Sequence, residues 1–375
     1  MCTGDGMNTI IIGAGASGLA CAISLKKNMP GCEVTVLERL SQAGRKILAT
    51  GNGRCNLSNT KAEHCDKVLE FFSEIGLVTR TDSEGRIYPY SNQAATVTEL
   101  LLRECERLGV EIITDCTVTG IDSMLCVESE SGIFSADCVV IAAGGRAQSA
   151  LGSDGSGYEL LKKLGHSITP LYPSLVQLTS PSKHPRALSG LRVKCNMKIL
   201  LDGEAVKSEY GEVLFTDYGL SGIVTMNLSD AVSRNFLSDN PKKCIAELDL
   251  IPDMNEEEIA KYINRYKNLD GILGKRLADI ISKQAEGDSA RFAKYAKHWR
   301  LIINGTKGYA HAQITGGGAK LCEFDGCASK LCDGVYACGE ILDRQFECGG
   351  YNLNHAWYSG IKTAEEITEK YNDKN

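Results

Sequence analysis

A glycine-rich turn close to the first residues constrains the fold of this chain more than any other feature. The apolar residues Asn8–Ile12 are typical of a short buried strand, and they lead directly into Gly13-Ala14-Gly15-Ala16-Ser17-Gly18. A helical pattern follows, and Glu33–Leu37 is then typical of a second strand, which ends at Glu38. A strand, a GxGxxG turn, a helix and a second strand followed by an acid predict a βαβ unit that binds a dinucleotide.

Each part of this unit has a physical role in holding a dinucleotide. The first glycine permits the tight turn, the second lets a pyrophosphate approach the backbone, and the third lets the helix pack on the strand. The helix N-terminus offers backbone N–H groups and a positive dipole end to the phosphates, and the acid accepts hydrogen bonds from ribose hydroxyls. The cofactor-binding residues predicted here are Gly13, Gly15, Ala16, Ser17, Gly18 and Glu38.

The residues after the acid favour FAD over NAD. A basic loop with a glycine follows the acid, and after it comes a polar, glycine-rich stretch that is too irregular for a helix. Such loops bring backbone N–H groups and cationic side chains close to the pyrophosphate and the flavin ring. The cofactor-binding residues predicted in these two stretches are Arg39, Gly44, Arg45, Lys46, Thr50, Gly51, Gly53, Arg54, Cys55 and Asn56.

The middle of the chain continues the pattern of an FAD domain of the glutathione-reductase type. A helix predicted over Thr96–Leu108 precedes a strand-like stretch over Glu111–Ile121 and a hairpin about Ser131-Gly132. An apolar strand over Cys138–Ala142 then ends in a pair of glycines. The cofactor-binding residues predicted from this layout are Val118, whose backbone would meet the adenine, Ala143 and Gly144.

The last part of the chain resumes the same pattern. Residues Gly334–Cys338 are typical of a short buried strand, and a glycine and an acid follow it, where FAD proteins of this class often bond a ribityl hydroxyl. Farther on, a second pair of glycines opens a helix, whose dipole would stabilise negative charge at the pyrimidine edge of a reduced flavin. The cofactor-binding residues predicted here are Gly339, Glu340, Asp343, Gly349, Gly350, Tyr351, Asn352 and Leu353.

Three segments together resemble the HI0933-like family of FAD-dependent oxidoreductases. They are Gly44–Asn59, Gly211–Gly222 and Gly339–Leu353. The resemblance implies non-covalent FAD, an FAD domain built from two segments and an inserted domain. Family names such as aminoacetone-oxidase-like and bile-acid-inducible reductase disagree about the substrate, so the resemblance specifies the cofactor better than the reaction. Within Gln313–Gly318 the chain departs from the family pattern, because Gly318 stands where valine is more usual.

The fold class predicted is α/β, with a Rossmann-like FAD domain in two segments and an inserted β-barrel and helical domain. The FAD domain covers residues 1–170 and 309–375, the inserted β-barrel domain covers 171–252, and the inserted helical subdomain covers 253–308. Short alternating strands and a hairpin turn at Asp202-Gly203 indicate the barrel.

In the helical subdomain we expect a helix over Ser289–Ile302. Four cationic residues would form a row on this helix. This row is interpreted either as a solvated face or as a docking patch for a nicotinamide phosphate or an acidic partner. These residues are Arg291, Lys294, Lys297 and Arg300.

Composition narrows the classes of partner. The formal net charge is −6 and the pI is about 5.7, which argues against a general binder of nucleic acid or anionic membranes. No apolar stretch reaches the length of a membrane span, and the start lacks the basic region of a secretory signal. The 16 cysteines show no regular framework and no zinc-site spacing, so we expect reduced thiols in a cytoplasmic protein without a metal site.

The chemistry expected is hydride transfer at flavin N5 on a small or steroid-like substrate. The sequence has no second GxGxxG unit, so NADH or NADPH would bind transiently as the reductant. A redox-active CxxC motif is also absent, which argues against disulfide reduction. The catalytic candidates near the flavin are Arg54, Cys55, Tyr351 and His355.

Three alternatives to an enone or alkene reductase stay open at this stage. The chain could be a flavin amine oxidase that uses oxygen, a flavoprotein that acts on tRNA, or a flavin-bound scaffold or sensor without turnover. The acidic balance speaks against the tRNA alternative.

Overall fold

The chain folds into two compact units. The computed structural model describes residues 6–267, 269 and 271–373. The first unit comprises Met1–Leu171 and Ile314–Asn375, and the second comprises Tyr172–Gln313. The insertion predicted from the sequence covers residues 171–308, whereas the second unit extends to residue 313.

The first unit is built on a seven-stranded, mainly parallel sheet, with helices and two small sheets around it. Its strands are β1 (Asn8–Ile12), β2 (Glu33–Leu37), β3 (Ser58–Asn59), β4 (Thr79–Thr81), β5 (Arg86–Pro89), β6 (Glu111–Ile113), β7 (Val118–Ile121), β8 (Cys126–Ser129), β9 (Gly132–Ser135), β10 (Cys138–Ile141), β19 (Ile314–Gly316), β20 (Phe324–Asp325), β21 (Ala328–Ser329) and β22 (Val335–Ala337). Its helices are α1 (Ala16–Asn28), α2 (Arg45–Ala49), α3 (Cys65–Glu74), α4 (Ala94–Leu108), α5 (Ser156–Lys163) and α11 (Tyr351–Asn372).

The strand order of the large sheet brings the two ends of the chain together. The order is β20-β21-β22-β10-β1-β2-β6, and the pairs from β22 to β6 are parallel. Both β1 and β22 pair in parallel with β10. The glycine turn after β1 and the glycine after β22 therefore lie at the same carboxyl edge of the sheet. Ligands bind at this edge in open α/β sheets.

Two of the predicted elements in this unit differ from the structure. The strand-like stretch Glu111–Ile121 is divided into β6, which pairs with β2, and β7, which pairs with β8. The stretch after Glu38, expected to be a loop, contains the one-and-a-half-turn helix α2 and a 3₁₀ turn over Thr50–Gly53.

The second unit contains a seven-stranded antiparallel sheet that closes on itself. The strand order is β17-β16-β13-β14-β15-β12-β18, and only Asn304 separates β17 from β18 along the chain. Because these two edge strands are consecutive, the ends of the sheet meet and form a barrel. The strands of the unit are β11 (Tyr172–Ser174), β12 (Leu178–Thr179), β13 (Arg192–Leu201), β14 (Glu204–Phe215), β15 (Gly219–Ser221), β16 (Cys244–Asp249), β17 (Trp299–Ile303) and β18 (Gly305–Thr306).

Five helices pack with this barrel. They are α6 (Lys183–Ala187), α7 (Ile223–Asn235), α8 (Glu256–Tyr266), α9 (Lys275–Ala285) and α10 (Ser289–Lys297). The helix α8 begins with a capping box, in which Asn255 and Glu258 exchange side-chain and backbone hydrogen bonds. Ile259, Leu277 and Phe292 of α8–α10 belong to the same buried cluster as the barrel residues, so the helices and the barrel share one hydrophobic core.

The predicted helix over Ser289–Ile302 is wrong at its C-terminal end. The helix α10 ends at Lys297, and Trp299–Ile303 is a strand that pairs with β16. In this strand buried and exposed residues alternate, as the period of two requires. The apolar residues of this stretch fit a helical spacing equally well, and cross-strand pairing with β16 decides between the two.

The four cationic residues of that segment accordingly do not form one row. Arg300 lies on β17 and pairs with Glu247 at 2.8 Å, whereas Arg291 and Lys297 lie on α10. Arg291 pairs with Glu286 at 2.8 Å, and Lys297 pairs with Asp249 at 2.7 Å. The docking patch on a single helix is therefore not present, and three of the four charges are neutralised locally.

We expect Gly360→Ala to destabilise the first unit. A Cβ at Gly360 would lie 2.2 Å from the carbonyl oxygen of Ser17, so α1 and α11 would have to move apart. Overpacking of this kind costs about 1–3 kcal/mol, measurable as a lower midpoint in urea unfolding. Gly31→Ala is the matched control, because a Cβ there meets no atom within 4 Å. Equal midpoints for the two variants would contradict this account of the helix contact.

Candidate functional site

The three glycines of the turn after β1 have different surroundings. A Cβ at Gly13 would lie 2.6 Å from the carbonyl oxygen of Ala142, and one at Gly18 would lie 1.9 Å from the carbonyl oxygen of Gly13. A Cβ at Gly15, in contrast, would meet no heavy atom within 4 Å. Two glycines are thus required for packing, and the third leaves open space above the backbone, as close approach of a pyrophosphate needs.

The N-terminus of α1 is available to an anion. Gly15 is the N-cap residue, and no side chain caps the helix. The first turn contains Ala16 and Ser17, and the Ser17 hydroxyl is turned toward the carbonyl oxygen of Cys338, 3.5 Å away. The first backbone N–H groups of a helix have no intrahelical partner, so they can bind phosphate oxygens here.

Glu38 holds the turn together from the end of β2. Its Oε2 accepts a hydrogen bond from the Ala14 N–H at 2.9 Å, and its Oε1 accepts one from the Leu40 N–H at 2.9 Å. A carboxylate has about four lone-pair positions, so two remain for ribose hydroxyls. The backbone contacts of Glu38 are a structural role that the sequence pattern did not reveal.

The predicted basic residues are engaged to different degrees. Arg39 donates to the carbonyl oxygen of Gly152 at 3.2 Å and lies 3.5 Å from the Asp154 carboxylate. Lys46 forms an ion pair of 3.0 Å with Glu340, and Arg45 is exposed on α2. The basic loop is therefore connected to the residues after β22 through Lys46.

Two predicted flavin-side segments, almost 300 residues apart, are hydrogen-bonded to each other. Asn56 accepts from the Gly350 N–H at 3.1 Å and donates to the Ser58 carbonyl at 3.1 Å when its amide is oriented to satisfy both. The Asn59 side chain donates to the carbonyl oxygen of Gly349 at 3.0 Å. The structure thus brings together the glycine-rich loop at 50–59 and the glycine pair that precedes α11.

Asn354 strengthens this junction and was not found by the sequence analysis. It is 97% buried, accepts from the Ser58 hydroxyl at 2.7 Å, and donates to the carbonyl oxygen of Glu63 at 2.8 Å. The only sequence signal is its place one helical turn after Gly350. Nothing local indicates that its partners would be Ser58 and Glu63.

The neighbouring residues Asn352 and Leu353 stabilise the start of α11. The Asn352 amide both accepts from the Phe346 N–H (3.0 Å) and donates to the Phe346 carbonyl (2.9 Å). Leu353 packs against the main core of the first unit. Asn352 therefore shapes the loop that carries the glycine pair.

The residues after β22 form a second polar network. Gly339 donates its N–H to the Ser359 hydroxyl at 2.9 Å, and Glu340 accepts from the Thr315 N–H at 2.9 Å. Asp343 accepts from the Thr169 hydroxyl at 2.8 Å and from the Gln345 amide at 3.0 Å. Both acids predicted to meet the cofactor are thus already fixed by protein donors.

The remaining predicted cofactor residues occupy two places. Ala143 and Gly144 lie two and three residues after the end of β10, next to the glycine turn after β1. Val118 begins β7, opposite Ser129 of β8, in the small sheet formed by β7, β8 and β9.

Burial makes Cys55 and His355 electrically neutral at ordinary pH. Cys55 is fully buried, and this burial raises the pKa of its thiol to about 12. Burial and the nearby Arg344 guanidinium lower the pKa of His355 to about 4, and its Nε2 is buried without a hydrogen-bond partner among the described residues. The environment of Cys55 disfavours a thiolate, and that of His355 disfavours an imidazolium.

Arg54 and Tyr351 are more accessible. Arg54 is exposed, donates its Nε to the carbonyl oxygen of Gly51 at 3.2 Å, and stacks its guanidinium on the ring of Tyr88 at 4.9 Å. Tyr351 is half-buried, and desolvation followed by the charge of Glu347 raises the pKa of its phenol. The Tyr351 hydroxyl therefore keeps its proton at neutral pH.

Within the described residues no group of three or more His, Cys, Asp and Glu side chains could hold a metal ion. No described helix combines the length and the apolar composition needed to cross a bilayer. No disulfide joins the described cysteines, most of which are buried.

Comparison with known proteins identifies the family. The model of the HI0933-like protein Rossmann domain matches residues 7–67 and 64–366. The chain belongs to the HI0933-like family. A relative from Clostridium scindens, named 3-dehydro-bile acid delta(4,6)-reductase, is 34% identical over 97% of this chain and 100% of the relative. A relative from Haemophilus influenzae, named ribosomal RNA dihydrouridine synthase, is 29% identical over 96% of this chain and 98% of the relative.

Solved structures with a similar fold are flavoenzymes of low sequence identity. A 3-ketosteroid-delta4-(5alpha)-dehydrogenase from Rhodococcus jostii is 13% identical, with a TM-score of 0.52 over 97% of each chain. A flavocytochrome c3 fumarate reductase is 14% identical, with a TM-score of 0.50 over 98% of this chain and 79% of the other. Together with the family match, these findings confirm the predicted family, the predicted fold class and an FAD-dependent oxidoreductase.

We expect Asn354→Ala to weaken the junction between the loop at 50–59 and α11. The substitution removes the 2.7 Å hydrogen bond of the Ser58 hydroxyl and the 2.8 Å hydrogen bond of the Glu63 carbonyl, and loss of such buried bonds costs about 1–3 kcal/mol. Thermal unfolding should report this loss, and a dialysed sample should retain less FAD. Asn372→Ala, at the exposed C-terminal end of the same helix, is the control. Retention of FAD equal to that of the control would argue against a role for the junction in holding the cofactor.

Burial of His355 predicts a pH dependence of stability. The unfolded chain takes up this proton near pH 6.5 and the folded chain only near pH 4, so stability falls as pH decreases between these values. The loss approaches about 3 kcal/mol at pH 4, because each pKa unit corresponds to ~1.4 kcal/mol. In urea unfolding between pH 7 and 4, His355→Asn should show a shallower slope than the unsubstituted chain. Parallel slopes would contradict the neutral, buried imidazole.

Proposed function

We propose that this member of the family reduces a carbon–carbon double bond conjugated with a carbonyl group in a small, steroid-like molecule. The observation that carries the proposal is the relative named 3-dehydro-bile acid delta(4,6)-reductase, which matches this chain over its whole length. The reductant in this proposal is NADH or NADPH, bound transiently, since the sequence has a single GxGxxG unit of the right context.

The relatives named ribosomal RNA dihydrouridine synthase support the same reaction class. The 5,6 double bond of uracil is conjugated with a ring carbonyl, as the double bond of an enone is. In each case one carbon of the double bond takes up a hydride and the other takes up a proton. Bound FAD supplies hydride transfer at N5, and the protein positions the substrate and provides the proton.

In this proposal, the residues predicted from the sequence hold FAD at two places. One is the carboxyl edge of the large sheet, and the other is the junction between the loop at 50–59 and the glycine pair before α11. The open space at Gly15 and the uncapped N-terminus of α1 fit the pyrophosphate. Glu38 retains acceptor positions for the ribose. The hydrogen-bonded pair of segments at 50–59 and 349–354 fits the flavin side.

Tyr351 is the proton donor that the electrostatics favour among the four catalytic candidates. Its phenol carries a proton at neutral pH, its side chain is half-buried, and it follows the glycine pair directly. Cys55 is fully buried, and neutral His355 is a poor acid because its imidazolium forms only near pH 4. Arg54 is an exposed cation with several N–H donors, which suit it to bind an anion or a carbonyl oxygen.

The decisive experiment follows the flavin absorbance under anaerobic conditions. The FAD-loaded protein is reduced with NADH or NADPH and then mixed with a 3-keto-4-ene steroid, with a 3-keto-4,6-diene bile acid, or with neither. We expect rapid reoxidation by the enones and a product two mass units heavier. Reoxidation by oxygen alone, together with reduction of the flavin by amines, would instead establish the amine oxidase alternative.

Modification of ribosomal RNA is the second candidate function. Two relatives with that name cover 96% of this chain, at 29% and 27% identity. The same reduced protein, mixed with unmodified ribosomal RNA, should produce dihydrouridine if this candidate is right, as detected by mass spectrometry of nuclease digests. The net charge of −6 favours the small-molecule substrate over RNA. We also propose that the protein is cytoplasmic.

We expect Tyr351→Phe to slow reoxidation of the reduced flavin by an enone by about 10²-fold, the usual contribution of a positioned acid. Flavin reduction by NAD(P)H should change little, because that step needs no proton from Tyr351. Stopped-flow measurement of the two half-reactions separates these effects. Tyr358→Phe, on the same helix, serves as the control. Equal slowing of both half-reactions by Tyr351→Phe would indicate a distorted site and not a lost proton donor.

A further inference from the structure

A small sheet beside the loop at 50–59 carries aromatic and cationic side chains that the proposed function leaves unused. The strands β3, β5 and β4 form this antiparallel sheet. The Leu57 N–H donates to the carbonyl oxygen of Ile87 at 2.8 Å, so the sheet continues directly from the loop. Its position therefore places any ligand bound to it next to the proposed flavin side.

The strand register gathers four side chains on one face of this sheet, and a fifth joins them from the adjoining loop. Arg80 lies directly opposite Tyr88, and the Tyr90 N–H donates to the carbonyl oxygen of Val78 at 2.7 Å. Since alternate residues of a strand share a face, Val78, Arg80, Tyr88 and Tyr90 lie on the same side. Arg54 stacks on Tyr88 from the adjoining loop. We call these five residues the arginine–tyrosine face.

Apart from the buried Tyr88, the arginine–tyrosine face is exposed, and its charge is not neutralised by the acids next to it. Tyr90 and Val78 are each 67% exposed, and Arg80 is exposed as well. The neighbouring acids Asp82 and Glu84 pair instead with Arg86, at 2.7 and 3.0 Å. Among the described residues this leaves the guanidinium of Arg80 without a carboxylate partner.

The exposed ring of Tyr90, on the same face as the guanidinium groups of Arg80 and Arg54, suits a ligand that combines a flat ring with phosphate. A tyrosine ring stacks on a nucleobase, and guanidinium groups bind phosphate oxygens in a bidentate manner. The ligand class indicated is therefore a nucleotide. Two arginines on the same face as one exposed ring match a ligand with a few phosphates attached to one base.

The charge of the first unit distinguishes a dinucleotide from an RNA strand. Its two segments contain 30 Asp and Glu residues against 21 Lys and Arg residues. A strand of RNA that extends beyond the arginine–tyrosine face would meet this acidic surplus and be repelled. A dinucleotide has two or three phosphates, and it would stay within the face.

We propose that the arginine–tyrosine face binds the adenosine phosphate part of NADH or NADPH while the nicotinamide reduces the flavin. The inference rests on the proposed function in one respect, that a nicotinamide supplies the electrons. It assigns a site for the reductant that the single GxGxxG unit, taken by FAD, does not provide.

The test uses Arg80→Gln and Tyr90→Ser in the FAD-loaded protein, with Arg103→Gln on α4 as the matched exposed control. Flavin reduction is followed by stopped flow over a range of NADH and NADPH concentrations. Each face variant should raise the apparent Kd for at least one nicotinamide by about fivefold, which corresponds to the loss of ~1 kcal/mol of stacking or ion pairing. The limiting rate and the FAD content should remain those of the control.

Three results would overturn the assignment. The first is an unchanged apparent Kd in both face variants, and the second is a wild-type flavin that neither nicotinamide reduces. The third is a single-stranded RNA oligonucleotide whose binding is lost in Arg80→Gln while nicotinamide binding is not. A second preparation, reduced by light in the presence of EDTA, keeps the two hypotheses separate. If this reduced protein fails to reduce any enone, the proposed function is contradicted. The nicotinamide titration would still decide whether the arginine–tyrosine face binds the reductant.

Discussion

Two close approaches of backbone to backbone determine where everything else in the first unit lies. At the turn after β1, Gly18 fits against the carbonyl oxygen of Gly13, and at the crossing of α1 and α11, Gly360 fits against that of Ser17. Neither contact leaves room for a Cβ. Together they fix the N-terminus of α1 between the sheet and α11, with its unpaired N–H groups directed to the open space at Gly15.

The proposed flavin side depends on this arrangement, because α11 carries half of it. Once α11 packs on α1, the glycine pair before it meets the loop at 50–59. Asn56 accepts a hydrogen bond from one glycine of the pair, and Asn59 donates one to the other. Asn354 adds a buried connection to Ser58. A polar junction of this kind keeps backbone groups satisfied where no regular strand pairing is possible. It also connects the binding of a cofactor to the stability of the whole unit.

Local patterns account for what the sequence predicted well. The strand, glycine turn, helix and acid of residues 8–38 are each defined by neighbours along the chain, and the structure has β1, α1 and β2 at those positions. The partners of Asn354 and of Glu340 lie far away in sequence, and no local pattern indicates them. The helix predicted over Ser289–Ile302 overlaps the strand β17 for the same reason. Its apolar spacing suits either structure, and pairing with β16 across some 50 residues decides.

The electrostatics of the flavin side suit a substrate without charge at its reacting atoms. Burial keeps the Cys55 thiol protonated and the His355 imidazole neutral, and Lys46 and Glu340 neutralise each other at 3.0 Å. The dipole of α11 would favour the negative charge that reduction leaves on a flavin bound there. A conjugated double bond develops negative charge only as it accepts a hydride. A neutral phenol can donate its proton as this negative charge develops. A fixed cation would bind the carbonyl oxygen of the substrate equally before the reaction begins, so it would stabilise the transition state less selectively.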